Sequence, residues 1–424
     1  MKQIKSVRLG ESYTRIDHSS GLTLLLCPMV GFSSAYALFA TKYGSVDSCF
    51  KTGLDDDFTQ VPAGIAHYLE HKMFESEQGD AFARYAATGA NANAYTSFDR
   101  TAYLFSCSDH FAESLDILLD FVTDPYFTEQ TVEKERGIIA QEIKMYDDSP
   151  EWRVFFNMLG TMYHENPVRV DIAGTVESIA EIDEKLLYRC YNTFYNLRNM
   201  VLCVAGGFDP DTVVKAADRI LKPAGELKVE RRKFHEPSTV RERKVEQVLP
   251  VAQPLFHIGF KGVAGASEAQ NLYHQTLDEL LVEIIAGEAS PLYRRLYDQG
   301  LINQTFSGEA MASRDYALCF FAGESRDPEQ VHVQLVQEIE RLKLEGIPEE
   351  VFRRCQKALY GRYMSMYGNV NAVAGLMLTC HFAGIEMYEL LDVIANATLG
   401  GLQDRMLQSF DTDKCSISVV TSGA

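Results

Sequence analysis

Residues 222–246, KPAGELKVERRKFHEPSTVRERKVE, break an otherwise regular succession of strand-like and helix-like segments. The stretch is densely charged, contains two prolines and has few large apolar residues, so it cannot supply a core of its own. It falls near the middle of a 424-residue chain, and the residues on either side are numerous enough for separate cores. The expected organisation is an N-terminal domain over 1–224, a connector over 225–246 and a C-terminal domain over 247–424.

The first half reads as a mixture of strands and helices. GLTLLLCP (21–28) and SSAYALFATKYGSVD (33–47) are rich in Leu, β-branched and aromatic residues and predict two strands of one sheet. VPAGIAHYLEHKMFE and GDAFARYAAT predict helices, and NANAYTSFDRTAYLFSC a strand–turn–strand unit. In 110–125, Phe111, Leu115, Leu118, Leu119 and Val122 keep helical spacing until Pro125. A long charged helix is expected over 128–148, with Thr128 as its N-cap and Ser149-Pro150 as its stop. A strand over 198–210 and a helix over 210–221 close this half.

The second half follows a similar order. PLFHIGFKG (254–262) opens it as a strand, helical patterns occupy 267–299, 328–345 and 349–363, and DKCSISVVTSGA (413–424) ends it. That last segment echoes RNMVLCVAGGF of the first half in pattern, though not in letters. The expectation is an α+β fold of two similar α/β-sandwich domains produced by internal duplication.

Charge and cysteine content narrow the function classes. A net charge of −19 opposes nonspecific binding to nucleic acids or anionic membranes, which requires clustered Lys and Arg. The nine cysteines, spread from Cys27 to Cys415, include no Cys-x-x-Cys pair and predict packed, reduced thiols. MKQIKSVRLGESY has no apolar signal region, and no run approaches the ~18 apolar residues of a membrane span. A cytoplasmic protein is the expectation.

The chemistry concentrates in GIAHYLEHKMFE (64–75). On a helix, His67 and His71 project from one face a turn apart, and Glu70 sits at the edge of that face. Two neutral imidazoles so spaced can close on one zinc ion, leaving the glutamate free to take a proton from water. The plainer alternative is a pair of surface histidines. It is weakened by the intervening glutamate and the apolar setting, since His-x-x-Glu-His is the inverse of the zincin motif. A catalytic zinc needs a third protein ligand. The helix over 128–148 offers candidates: Glu135 and Glu142 lie seven apart beside the apolar stripe of Val132, Ile139, Ile143 and Tyr146. A carboxylate on a buried face is costly unless it is paired or metal-bound. Salt bridges to Arg136 or Lys144 would be the structural explanation.

AHYLEH, followed about seventy residues later by EKERGIIAQEIKMYDDSP, with GANANAYTSFDRTAYLF between them, resembles the inverzincin metallopeptidases. These include pitrilysin, insulin-degrading enzyme and the mitochondrial processing peptidases, and the likeness is greatest to small bacterial two-domain members. The resemblance spans essentially the whole chain and is densest from 62 to about 200. It implies one Zn²⁺ per chain, held by His67, His71 and Glu142, with Glu70 as general base and Glu135 supporting a ligand histidine. It implies two such chains or halves facing each other as a clamshell around a closed chamber. Asn93, Ala94 and Tyr95 would then lie on an edge strand to which a peptide adds as a further strand. The implied activity is zinc-dependent endopeptidase action on peptides or unfolded segments.

One part of the family pattern is missing. Active members carry an Arg and a Tyr seven apart in the second domain, but here Arg294 leads to Leu301 and Arg295 to Ile302, with Tyr297 and Asn303 nearby. The second half also lacks a His-x-x-Glu-His; His274 and Glu279 have the wrong spacing. This implies the zinc-bearing subunit of a heterodimer whose zinc-less partner supplies the pair, with a homodimer as the other arrangement. A noncatalytic peptide-binding or assembly subunit is the competing role. A purely structural zinc protein is disfavoured, because Cys49 and Cys107 have no ligand spacing to the motif helix.

Overall fold

The computed structural model describes residues 1–77 and 79–423. It contains two compact units that interleave along the chain. The first comprises Met1–Ile143, Asp171–Arg232 and Ser365–Tyr388; the second comprises Lys144–Val170, Lys233–Met364 and the chain from Glu389 onward.

The first unit is built on a mixed sheet of β1 (Lys2–Lys5), β2 (Ser12–Asp17), β3 (Thr23–Pro28), β4 (Ala35–Thr41), β5 (Asn91–Thr96), β6 (Thr101–Cys107) and β7 (Met200–Gly206). Their order is β1-β2-β3-β7-β4-β6-β5. Every residue of β7 is buried, as the apolar run MVLCVAG requires of a central strand covered on both faces. At the sheet edge, β5 alternates exposed and half-buried residues.

The second unit carries β8 (Lys244–Val248), β9 (Leu255–Lys261), β10 (Ser307–Ser313), β11 (Tyr316–Glu324) and β12 (Cys415–Thr421) in the order β8-β12-β9-β11-β10. This repeats β3-β7-β4-β6-β5 strand for strand. In each of these five-strand runs the first pair is parallel and the remaining pairs are antiparallel. The duplication expected from pattern alone is therefore present as shared topology.

The helices that matter here are α1 (Ile65–Met73), α2 (Ala81–Thr88), α3 (Phe111–Thr123), α4 (Glu129–Asp147), α5 (Pro150–Met162), α6 (Glu268–Ala286), α7 (Pro291–Asp298), α8 (Pro328–Glu345), α9 (Glu349–Met366) and α10 (Val370–Ala383). Their starts follow the expected chemistry. Asp80 caps α2 by accepting from Phe82 N at 2.8 Å, and Thr128 Oγ1 accepts from Thr131 N at 3.2 Å at the head of α4.

Within the second unit, α5 packs on β12, β9 and β8; within the first, α10 packs on β7, β4 and β3, the equivalent strands. Gly259 on β9 makes the close approach of α5 possible. A Cβ there would lie 2.4 Å from Met162 Sδ, so a larger residue would force the Met162 and Met158 side chains to shift.

The structure adds elements to the sequence reading. Strand β8 precedes the strand that opened the second half, and it lies partly within the stretch expected to be a connector. The helical stretch 267–299 is two helices, broken before Ser290, which caps α7. Strands β1 and β2 and helices α5 and α10 had no counterpart in the pattern. Trp152 lies in the first turn of α5, stacked on Tyr146 at 4.3 Å. All nine cysteines are free and buried. Among the described residues, no helix is long and apolar enough to cross a membrane.

Candidate metal centre

Helix α1 is held rigidly before it presents any polar group. Gly64, which precedes it, has φ +87°, and a Cβ at this position would lie 2.4 Å from Ala173 O, so the backbone segments meet where only glycine fits. Ser178 Oγ donates to Ala63 O at 2.9 Å from the same neighbouring segment. Ile65, Ala66, Leu69 and Met73 are buried, and the Tyr68 hydroxyl donates to Val132 O on α4. The register between α1 and α4 is thus set by packing and by a buried hydrogen bond.

The two helices bring together the residues singled out in the sequence. Glu142 Oε1 is 3.7 Å from His67 Nε2, and Glu142 Oε2 is 3.2 Å from His71 Nε2. The imidazoles of His67 and His71 meet edge to face with centroids 4.6 Å apart. Ligand atoms ~2.0–2.1 Å from one tetrahedral zinc lie roughly 3–3.5 Å from each other, so little movement would close this set on an ion. Among the described residues it is the one group of three or more His, Cys, Asp or Glu placed to hold a metal, with ligand atoms within 4.8 Å of one another. Glu135 Oε1 lies 3.0 Å from His71 Nδ1, where it fixes the ring and leaves Nε2 turned inward. Arg136, one of the two basic residues expected to pair with these glutamates, instead pairs with Glu133 and donates to Ile182 O at 2.9 Å.

The electrostatics suit a divalent cation. Burial holds His67 down at about 4, so its ring is neutral and its nitrogen lone pair free. Burial also acts to lower His71, but the hydrogen bonds its ring donates to Glu135 and Glu142 prevail and raise it to about 9. A proton on His71 thus answers the surrounding carboxylates in the metal-free protein, and a bound cation would answer them more fully. Two imidazoles and a carboxylate with an orienting glutamate are a donor set that zinc accepts.

Glu70 lies beside the cluster and is buried. Burial raises its pKa, while hydrogen bonding to Thr96 pulls the other way. Its Oε2 accepts from Thr96 Oγ1 at 2.5 Å. Next to it opens a cleft of about 470 Å³ whose lining includes Glu70, His71, Glu135, Asn93, Ala94 and Phe82. Asn93 and Ala94 belong to the edge strand β5, which pairs with β6 on one side. Tyr95, on the same strand, is partly exposed and does not line this cleft. In the second unit, Leu301 and Ile302 are buried, so the positions seven after Arg294 and Arg295 point into the core.

Family models match both halves of the chain: Insulinase (Peptidase family M16) over residues 53–176, and the Peptidase M16 inactive domain over 181–359. The chain belongs to peptidase family M16. It is 36% identical over 427 residues to YmfH, an uncharacterized zinc protease of Bacillus subtilis, covering 99% of both chains. The crystal structure of an M16-like peptidase from Alicyclobacillus acidocaldarius is similar with a TM-score of 0.92 at 36% identity, covering 96% of this chain and 97% of that one. A third relative, mitochondrial-processing peptidase subunit beta of Caenorhabditis elegans, is 32% identical over 170 residues, 39% of this chain and 36% of that one. The M16 match containing the His-x-x-Glu-His segment is the one over 53–176, and the one named for an inactive domain covers the half without it.

The sequence reading missed Thr96. It named the three residues before it, but strand alternation places Ala92, Ala94 and Thr96 on one side of β5. That alternation was the available signal.

Proposed function

We propose that this M16 chain is the zinc-bearing subunit of an endopeptidase that cuts peptides or unfolded segments. The observation that supports it most is the convergence of His67, His71 and Glu142 beside a buried Glu70, at a cleft walled by an unpaired strand edge. His67 and His71 with Glu142 would hold the ion, and Glu135 would keep the His71 ring in place. A zinc ion held there supplies Lewis acidity toward a carbonyl oxygen and makes water more acidic. The open side of β5 would take the peptide as an added strand, with Asn93, Ala94 and Tyr95 as its backbone neighbours. Glu70 would accept the proton of the attacking water and pass it to the leaving amine.

The absence of a tyrosine seven residues after Arg294 or Arg295 favours a heterodimer in which a related zinc-less chain completes the site. The nematode relative is named as a subunit, which accords with such an assembly. The same absence favours a second reading, a noncatalytic peptide-binding subunit.

Cleavage of a quenched fluorescent peptide separates the two. The expected result is cleavage that a chelator abolishes and zinc restores, and that rises when the partner copurified from native cells is added. Peptide binding without cleavage, with the partner present and zinc bound, would establish the noncatalytic role.

A further inference from the structure

Thr96 is the last residue of β5 and stands opposite Thr101 across the hairpin. Its hydroxyl has one hydrogen and two nearby acceptors: Glu70 Oε2 at 2.5 Å and Thr101 Oγ1 at 3.4 Å. The Thr101 hydroxyl is fully buried and gives its own hydrogen to Tyr43 O at 2.9 Å. The short contact therefore takes the Thr96 hydrogen, and Glu70 receives it. A β-branched side chain in a strand has little χ1 freedom, so the direction of this donor is fixed by the backbone of β5.

The open edge of the same strand begins just before Thr96. The Ala94 N–H is turned away from the ladder with β6 and is met by Asn93 Oδ1 at 2.9 Å. Two residues on, at the same strand parity, comes Thr96. The element whose edge would carry a peptide thus ends at the residue that grips the carboxylate.

We propose that Thr96 is a positioning residue: its hydroxyl ties the Glu70 carboxylate to strand β5, so that proton acceptor and added peptide strand are placed by one element. This rests on Glu70 being the general base. Small misplacements of a reacting group can cost about 10²-fold in rate, and Thr96→Val removes the donor while keeping the shape.

The test compares Thr96→Val, Thr96→Ser and Glu70→Gln in the complete chain, with its partner where one copurifies. Thr96→Val should lower kcat about 10²-fold with KM little changed. It should retain full zinc by metal analysis and bind uncut peptide as Glu70→Gln does. Thr96→Ser, which keeps the hydroxyl, should recover most of the rate. Wild-type kcat in Thr96→Val, equal losses in the Val and Ser variants, or loss of zinc from Thr96→Val would each overturn the assignment. If those results come with an inactive Glu70→Gln, only the role of Thr96 fails. A wild-type protein with no chelator-sensitive cleavage overturns the proposed function and this inference with it.

Discussion

The two units place a pair of helices at equivalent points of the same topology and give them opposite polarity. In the first, α1 follows β4 and offers His67 and His71, four apart, to Glu135 and Glu142 on α4. In the second, α6 follows β9 and offers Glu279 and Glu283, also four apart, to Arg362 and Tyr363 on α9. Arg362 Nη2 donates to Glu283 Oε2, and the Tyr363 hydroxyl to Glu279 Oε2, both at 2.9 Å. Burial raises Glu279 to about 6 against the pull of Tyr363 and Arg362. The second unit supplies an arginine cation from its own chain. The first gathers carboxylates around two imidazoles, so that its positive charge is a proton on His71 that a bound cation could replace. A duplicated frame can therefore carry a candidate metal site in one copy and a self-satisfied ion pair in the other without any change of topology.

The largest expected effect lies at the open copy. Glu70→Gln should cut peptide hydrolysis by at least the 10²–10⁴-fold typical of a general base, while metal analysis finds zinc retained. His71→Ala should lose both zinc and cleavage. Full zinc in His71→Ala, or normal turnover by Glu70→Gln, would show that the contrast between the units has been misread.

Next comes the support beneath the ligand. Glu135→Ala frees the His71 ring to turn. Loss of an orienting carboxylate typically weakens metal affinity about 10–100-fold. Competition with a graded chelator measures this directly. An unchanged zinc affinity would make Glu135 a mere ion-pair partner, like the carboxylates of the second unit.

The first unit's site was legible in the sequence because its chemistry is written in local spacing: i, i+4 histidines and glutamates two turns apart. Its counterpart was not. Glu279 was considered only against His274, whose Nδ1 lies 3.1 Å from Arg405 Nη1, whereas its true partner, Tyr363, is 84 residues away. Thr96 escaped notice because a threonine at a strand end is unremarkable until the strand is seen to meet α1. The helices α5 and α10 show a further limit. Periodicity can mark a helix, but it carries no information about which sheet the helix will cover, and α10, VNAVAGLMLTCHFA, is too uniformly apolar to show a face. The alternating, partly charged strands β1 and β2 lacked the apolar run that marks a buried strand.

Each unit also holds a half-buried histidine away from the helix pairs. His257 in the second is stacked on Phe320, with ring centroids 5.4 Å apart, and burial lowers it to about 4. His381 in the first is lowered to about 4 by burial, with Arg15 and Lys42 adding to the effect. An unfolded histidine titrates near ~6.5. Below that pH the unfolded chain takes up protons that the folded chain refuses, so stability should fall as pH drops from 6.5 toward 4. The slope is at most about 1.4 kcal/mol per pH unit for each histidine. Melting of zinc-saturated protein across this range checks the sign, and His257→Phe should flatten the slope by one histidine's share. An unchanged slope in that variant would remove His257 from the account.

The smallest effect belongs to the closed copy and tests the comparison most sharply. Arg362→Leu removes the guanidinium from Glu283. Both side chains are partly exposed, at 57% and 27%, so the pair is screened and its loss should cost no more than about 1 kcal/mol. Zinc content and cleavage should not change, because the second unit's helix pair answers its own charge and takes no part in holding the ion. A loss of zinc in this variant would mean that the two helix pairs are energetically coupled. A fall in cleavage with zinc retained would mean instead that the arginine reaches the peptide. The inert outcome is the expected one: in the first unit Glu135 and Glu142 face imidazoles, which a cation could bind, whereas in this copy the guanidinium of Arg362 already meets Glu283.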